Sequence, residues 1–287
     1  MIRYSPAPPL DAAIDCIWLS RRHGHYQHWE HMLPSGKAQL VIPLHDSPIE
    51  WAAPGSKIEW HSWTRGVIHG PQTRYYLAGA KPPGVVVGAS FRPGMAAAIL
   101  GVPLHELRDR HVSIEELWGY RGLDLHERLA AIGEPMDVCR ALEVELIARI
   151  RRPLLIHPAV AYALRPEGLS TSSARVEEIQ RRTGYSPRHF IELFHSAVGL
   201  TPKHFYRVQR FSSALSRMAQ ASSDGGAKLI DVAFAAGYSD QAHFSREFRE
   251  LAGVAPSGYY PPAANSEHHH VVAASGKKSS RLLRRRA

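Results

Sequence analysis

Gln241, Arg246 and Arg249 stand at helical spacing on one face of a short stretch, together with Ala242 and Ser245. An earlier stretch places Pro187, Arg188, Ile191, Glu192 and His195 in the same way. Arginine and glutamine are the side chains that suit base edges: a guanidinium pairs bidentately with guanine, and a carboxamide with adenine. Glu192 would either accept from cytosine or repel phosphate, so the later face is the better base reader of the two. The chemistry on offer is recognition of a duplex from its major groove.

Such residues need a scaffold, and the chain writes that scaffold twice. One copy reads GYSPRHFIELFHSAVGLTPKHF from Gly184, and the other GYSDQAHFSREFRELAGVAPSGYY from Gly237. The two glycines lie 53 residues apart, whereas Phe190/Phe244, Phe194/Phe248, Gly199/Gly253 and Pro202/Pro256 lie 54 apart. A repeat of this kind is one supersecondary unit used twice. Each copy has an apolar-periodic helix (Val176 and Ile179 to Thr183, or Ile230, Val232, Ala233 and Ala236) and then a glycine suited to a left-handed helix end. Ser186 or Ser239 can cap the helix that follows, with Pro187 or Asp240 in its first turn. Paired phenylalanines supply its buried face. Two helices joined by a tight glycine turn make a helix-turn-helix. Between the copies, Pro202 opens a helix to Gln220, about 28 Å long at 1.5 Å per residue. That suits two readers set near the roughly 34 Å repeat of the major groove. Arg207, Arg210 and Arg217 are expected on its outer side.

Charge points the same way. Residues 1–150 carry 15 Lys+Arg against 16 Asp+Glu, and residues 151–287 carry 20 against 10. A near-neutral front and a basic back place the polyanion at the back. Cys16 and Cys139 form no C-x-x-C pair and read as reduced thiols. The proline-rich start has no apolar signal-peptide core, and no apolar run approaches the roughly 20 residues of a bilayer span. The expectation is a cytoplasmic chain without membrane contact.

Residues 1–90 contain short β-branched or aromatic runs at 37–44, 57–63, 73–79 and 84–91, punctuated by Pro34-Ser35-Gly36, Ala53-Pro54-Gly55 and Lys81-Pro82-Pro83-Gly84. They predict a small sandwich or barrel. Helical periodicity then takes over, up to Leu100, at 103–109 and 113–118, and across 123–150 in two pieces broken at Gly133–Pro135. Those two helices pack back on the β unit, link the domains or form a dimer face. Arg151-Arg152-Pro153 marks a boundary, and His157–Leu164 reads as a short helix.

Residues 176–260 resemble the double helix-turn-helix DNA-binding domain of AraC/XylS-type transcription regulators. IDVAFAAGYSDQAHFSREFRELAGVAPSGY carries most of the likeness. The resemblance implies that each second helix enters a successive major groove. It also implies base-reading positions at Arg188, Ile191 and Glu192, and at Gln241, His243 and Arg246, beside the exposed Arg249. LPSGKAQLVIPL, GPQTRYYLAG and SFRPGMAAAILGVPLHEL are similar, more weakly, to the cupin-like sensor region of such regulators. The expected chain is therefore α+β. A β-rich cupin-like sensor domain spans 1–120, a helical connector or dimerisation segment 121–152, an all-α double helix-turn-helix domain 154–262 and a disordered basic tail 263–287. Its expected partners are double-stranded DNA, a small-molecule effector, RNA polymerase and a second copy. No cofactor, metal or enzymatic role is expected; a cupin whose chief work is chemical is the competing reading.

Rival uses of the remaining residues stay in view. His23, His25, His28 and His31, with His61 or His69, invite a metal reading, but their spacing is poor and turn or surface histidines are the commoner case. Trp18, Trp29, Trp51, Trp60 and Trp63 either line an effector pocket or, as large aromatics usually do, pack in a core. Arg284, Arg285 and Arg286 add nonspecific phosphate affinity or are a solvated tail.

Overall fold

Two antiparallel sheets face each other in the front half of the chain. The computed structural model describes residues 1–21, 29–45, 48–55, 57–79, 84–165, 177–178, 181–223 and 228–259. The first sheet has six strands in the order β1 (Ile2–Tyr4), β2 (Ile14–Arg21), β9 (Val85–Phe91), β4 (Gln39–Pro43), β7 (Val67–His69) and β10 (His111–Ser113). The second has four, in the order β3 (Glu30–Met32), β8 (Tyr76–Ala78), β5 (Ile49–Ala52) and β6 (Trp60–Trp63). Five of the strands are only three residues long, and several others were not marked by an alternating pattern.

The six-stranded sheet is buried on both faces. Ile14, Ile17 and Leu19 of β2 join a core with Val138, Cys139, Leu142 and Leu146, while Cys16 and Trp18 pack with Val86 on the other side. The outer face is covered by α1 (Ala97–Leu100), α3 (Tyr120–Ala130) and α4 (Pro135–Ala148), with α2 (Ile114–Trp118) leading into α3. The helices of 123–150 pack back on the β unit through Leu125, Leu129, Val138, Leu142 and Leu146. Buried Glu143 of α4 fastens β1 by accepting from the Tyr4 hydroxyl and, at 2.5 Å, from the Ala7 backbone N–H. Cys16 and Cys139 are free buried thiols.

The back half is helical: α5 (Pro158–Ala163), α6 (Pro187–Val198), α7 (Pro202–Ser223), α8 (Leu229–Ala235) and α9 (Gln241–Ala252). Its separate core gathers Phe190, Phe194, Phe205, Phe211, Phe244, Phe248 and Tyr259. α7 is the shared spine. Phe205 meets Phe194 of the first copy at 5.6 Å between ring centroids, and Phe211 meets Phe248 of the second at 5.1 Å. Truncating any one of these buried rings to alanine would cost about 3–5 kcal/mol. Among the described residues, no helix is long and apolar enough to cross a membrane. The first helix of copy one lies largely outside the described residues, as do Val176, Ile179, the tail 263–287, His23, His25 and His28.

Candidate nucleic-acid interface

The two reading helices begin at side-chain caps. Ser186 Oγ accepts the His189 N–H at 3.3 Å, and Asp240 Oδ1 accepts the His243 N–H at 2.7 Å. In copy two the cap is therefore Asp240, not Ser239, which instead bonds Asp240 and the His243 ring. This one-residue shift is where the repeat gains its extra residue, since Ser186 and Asp240 lie 54 apart like the phenylalanines. With the caps matched, Glu192 falls opposite Arg246, and His195 opposite Arg249. Each helix buries its phenylalanines against α7 and turns its amino-terminal half outwards, the part with which a helix-turn-helix contacts bases.

The two outward faces differ in charge. Arg188 is exposed but bonds Glu192 one turn on, Nε to Oε1 at 3.0 Å, so copy one presents a neutralised pair flanking a half-exposed Ile191. In copy two Gln241, Arg246 and Arg249 are all exposed. Neither Arg246 nor Arg249 is ion-paired among the described residues. His243 is half-buried, edge-on to Tyr238 at 5.4 Å, with Nε2 3.7 Å from Glu247. That grip orients the ring at the edge of the reading face.

Three expectations need correction. Arg207 and Arg210 do not face outwards. Arg210 makes a bidentate pair with buried Glu247, Arg207 Nε lies 3.1 Å from the same carboxylate, and Arg207 also reaches Glu250. Arg210 further lies 4.7 Å over the Tyr238 ring. These arginines fix the angle between α7 and α9, which leaves Arg217 as the exposed arginine of the three. His195 has likewise left the reading face. It is half-buried with its ring 5.3 Å from His105 of the front half, and burial holds its imidazole below the usual range. The third is the cap at Asp240. The sequence signal for the arginines lay in Glu247 itself, which shares the apolar row of Phe244, Phe248 and Leu251 and so was bound for the interior.

The front half meets this unit through residues that motif reading did not single out. The Tyr75 N–H donates to Leu251 O at 3.0 Å, Gln209 Nε2 donates to Ser35 O at 3.2 Å, and Leu33 packs on the helical core. His31, read as part of a histidine cluster, lies in this contact with Nδ1 2.8 Å from Ala252 O. Burial lowers its pKa, partly opposed by that carbonyl.

Inside the β unit, His69 and His111 touch Nδ1 to Nδ1 at 2.5 Å among Trp51, Trp63 and Tyr76. No group of three or more His, Cys, Asp or Glu suited to a metal occurs among the described residues. Trp18 is core, Trp51 and Trp63 stack at 5.5 Å, and Trp29 and Trp60 remain partly exposed. None of these tryptophans lines any of three clefts found among the described residues. One, of about 40 Å³, lies within the β unit among Gln39, His69, Gln72 and Tyr76. The other two lie between the halves: about 290 Å³ beside Met95, Ile156 and Leu193, and about 440 Å³ beside Arg3, Lys37 and Gln209.

Comparison with known proteins agrees with this geometry. Residues 179–260 match the family described as a helix-turn-helix domain, and residues 2–113 match a domain of unknown function. An uncharacterized HTH-type transcriptional regulator of Haemophilus influenzae is 24% identical over 115 residues, 37% of either chain. The HTH-type transcriptional activator AarP of Providencia stuartii is 25% identical over 93 residues, 32% of this chain and 66% of AarP. The chain thus spans about a third of the first relative's length and just under two-thirds of the second's. Among solved structures, ToxT of Vibrio cholerae aligns over 84% of this chain and 96% of its own, at 13% identity and a TM-score of 0.44. Residues 179–260 are thus a helix-turn-helix domain, and a β-rich amino-terminal half precedes it.

Proposed function

We propose that this chain is a cytoplasmic, sequence-specific DNA-binding transcription regulator whose front domain takes a small-molecule effector. The carrying observation is a pair of capped helices on one spine, their outward halves exposed and Arg246 and Arg249 unpaired on the second among the described residues. Copy two is the principal base reader, through Gln241, Arg246 and Arg249 with His243 at its edge. Copy one, with Arg188, Ile191 and Glu192, adds groove contact and weaker discrimination. The clefts of about 290 and 440 Å³ between the halves are the places where an effector would act on both. A homodimer would use the outer side of α4, where Val144 and Ile147 are exposed; sedimentation as a monomer at all concentrations would remove that part of the reading. Contact with RNA polymerase follows only if bound chain raises transcription from its own site.

The test is binding of the purified full chain to its own upstream region and to random DNA at about 150 mM salt, where nonspecific phosphate affinity is largely suppressed. A clear preference for the upstream region is expected; equal affinity for both would refute the proposal.

A further inference from the structure

The loop 70–75, between β7 and β8, touches both reading helices at equivalent places. Gly199 and Gly253 end α6 and α9 in the left-handed region, at φ +83° and +77°. A Cβ on Gly199 would lie 2.9 Å from Pro71 Cγ and 2.8 Å from Leu104 O. A Cβ on Gly253 would lie 2.4 Å from Tyr75 Cζ. Two residues four apart in one loop therefore abut positions 54 apart in the repeat. Four residues reach at most roughly 14 Å, so the loop holds the two helix ends to a short, fixed interval.

The loop is braced rather than slack. Gly70 N–H donates to Arg110 O at 2.9 Å, and Gln72 Nε2 donates to Gly70 O at 2.8 Å. Asp109, itself at a positive φ of 54°, accepts from the Thr73 N–H at 2.6 Å and from the Thr73 hydroxyl at 2.8 Å, while its own N–H donates to Pro71 O at 3.1 Å. At the far end the Tyr75 ring stacks on His31 at 4.5 Å, and the Tyr75 N–H and His31 Nδ1 each meet a terminal carbonyl of α9. The spine α7 ties the two readers at their buried faces; the loop adds a second, independent tie at their carboxy-terminal ends.

We infer that loop 70–75 is a spacer that sets the interval between the two reading helices, with Tyr75 and Pro71 as positioning residues for half-site spacing. Neither residue is on the outward reading faces, so their effect is on the distance between half-sites and not on the bases read. The inference rests on the DNA-reading assignment above. It also gives the front domain a route to regulation, since His69 and Tyr76 at the loop's ends line the inner cleft.

The test uses the full chain and a duplex that the wild type selects from a randomised pool, remade with one base pair added or removed between the half-sites. The wild type should lose about fivefold or more in affinity on either change. Tyr75→Ala should bind the selected and altered duplexes within about twofold of each other, whereas Tyr75→Phe, which keeps the ring, should discriminate like the wild type. Binding to a duplex carrying only the copy-two half-site should be the same for all three proteins. If Tyr75→Ala fails to fold, Pro71→Ala makes the same comparison from the Gly199 end. A folded variant that keeps the wild-type spacing preference overturns the inference. A wild type that selects no duplex overturns the DNA-reading assignment instead.

Discussion

Arg210 grips Glu247 with its Nη2 2.9 Å from both carboxylate oxygens, and this pair is what sets α9 against α7. Glu247 is 7% exposed, and Arg207 Nε adds a third donor at 3.1 Å. Removing one partner of a buried pair leaves the other charge uncompensated, which costs about 3–5 kcal/mol. Glu247→Ala should therefore destabilise the helical domain by about 3 kcal/mol in urea titrations followed by circular dichroism. Glu250 also contacts Arg207, but its side chain is 65% exposed, so Glu250→Ala should cost less than about 1 kcal/mol. Equal losses for the two variants would show that the Arg210–Glu247 pair is not the element that holds the second motif.

The caps align Glu192 with Arg246, so one position carries opposite charges in the two copies. Arg246→Ala should weaken binding to the selected duplex by about 1–3 kcal/mol and relax preference at one base pair. A uniform loss on every sequence would make Arg246 a phosphate contact instead. Arg188→Ala should cost less, because Arg188 already bonds Glu192. Glu192→Gln should release Arg188 and tighten binding, with a salt slope steeper by about one. Fluorescence anisotropy at several salt concentrations reads all three, and weaker binding by Glu192→Gln would instead make Glu192 a base contact.

The double motif was legible in sequence because its signals are local: capping residues, a glycine at each helix end and phenylalanines spaced by one helical turn. Even there, the choice between Ser239 and Asp240 as cap needed the backbone, since either side chain can do it. The front domain was harder to read for two physical reasons. Strands of three residues such as Ile2–Tyr4 and Val67–His69 are too short to show a period of two. Ile14–Arg21 is covered on both faces, which erases alternation altogether. Arg207 and Arg210 were misplaced because their partner Glu247 lies 37 to 40 residues away. The roles of Tyr75 and His31 come only from docking of one half on the other, and no local pattern encodes that.

His69 and His111 should make the stability of the front domain fall as pH is lowered. Burial holds His69 down to about 3, and burial with the neighbouring His69 and His61 holds His111 down to about 2, against 6.5 for a free imidazole. Both are neutral in the folded chain, whereas the unfolded chain protonates them as pH falls below about 6.5. The unfolded state then binds more protons, so stability is full above that value and declines as pH falls towards about 3. Each histidine should contribute a slope of up to about 1.4 kcal/mol per pH unit. All six tryptophans lie within residues 1–118, so their fluorescence reports the front domain in urea titrations at about pH 7 and pH 5. His111→Gln should flatten the difference, and an unchanged difference would place the pH sensitivity elsewhere.

Gly184 and Gly253 both sit at positive φ, +70° and +77°, but only one of them has a neighbour. A Cβ on Gly184 would meet nothing within 4 Å among the described residues, so Gly184→Ala should cost only the left-handed strain of an L-residue, about 1–2 kcal/mol. At Gly253 the same strain is joined by overlap with the Tyr75 ring at 2.4 Å. That ring is held between His31 and the end of α9, so it has little room to withdraw. Overpacking of this kind adds about 1–3 kcal/mol, and Gly253→Ala should melt lower than Gly184→Ala. It should also lose the discrimination between duplex spacings, because displacing Tyr75 loosens the tie between the front domain and α9. Thermal melts of the two variants, followed by the spacing assay, separate the two contributions. If Gly253→Ala melts with Gly184→Ala, the Tyr75 contact contributes nothing and the front domain does not brace the second reader.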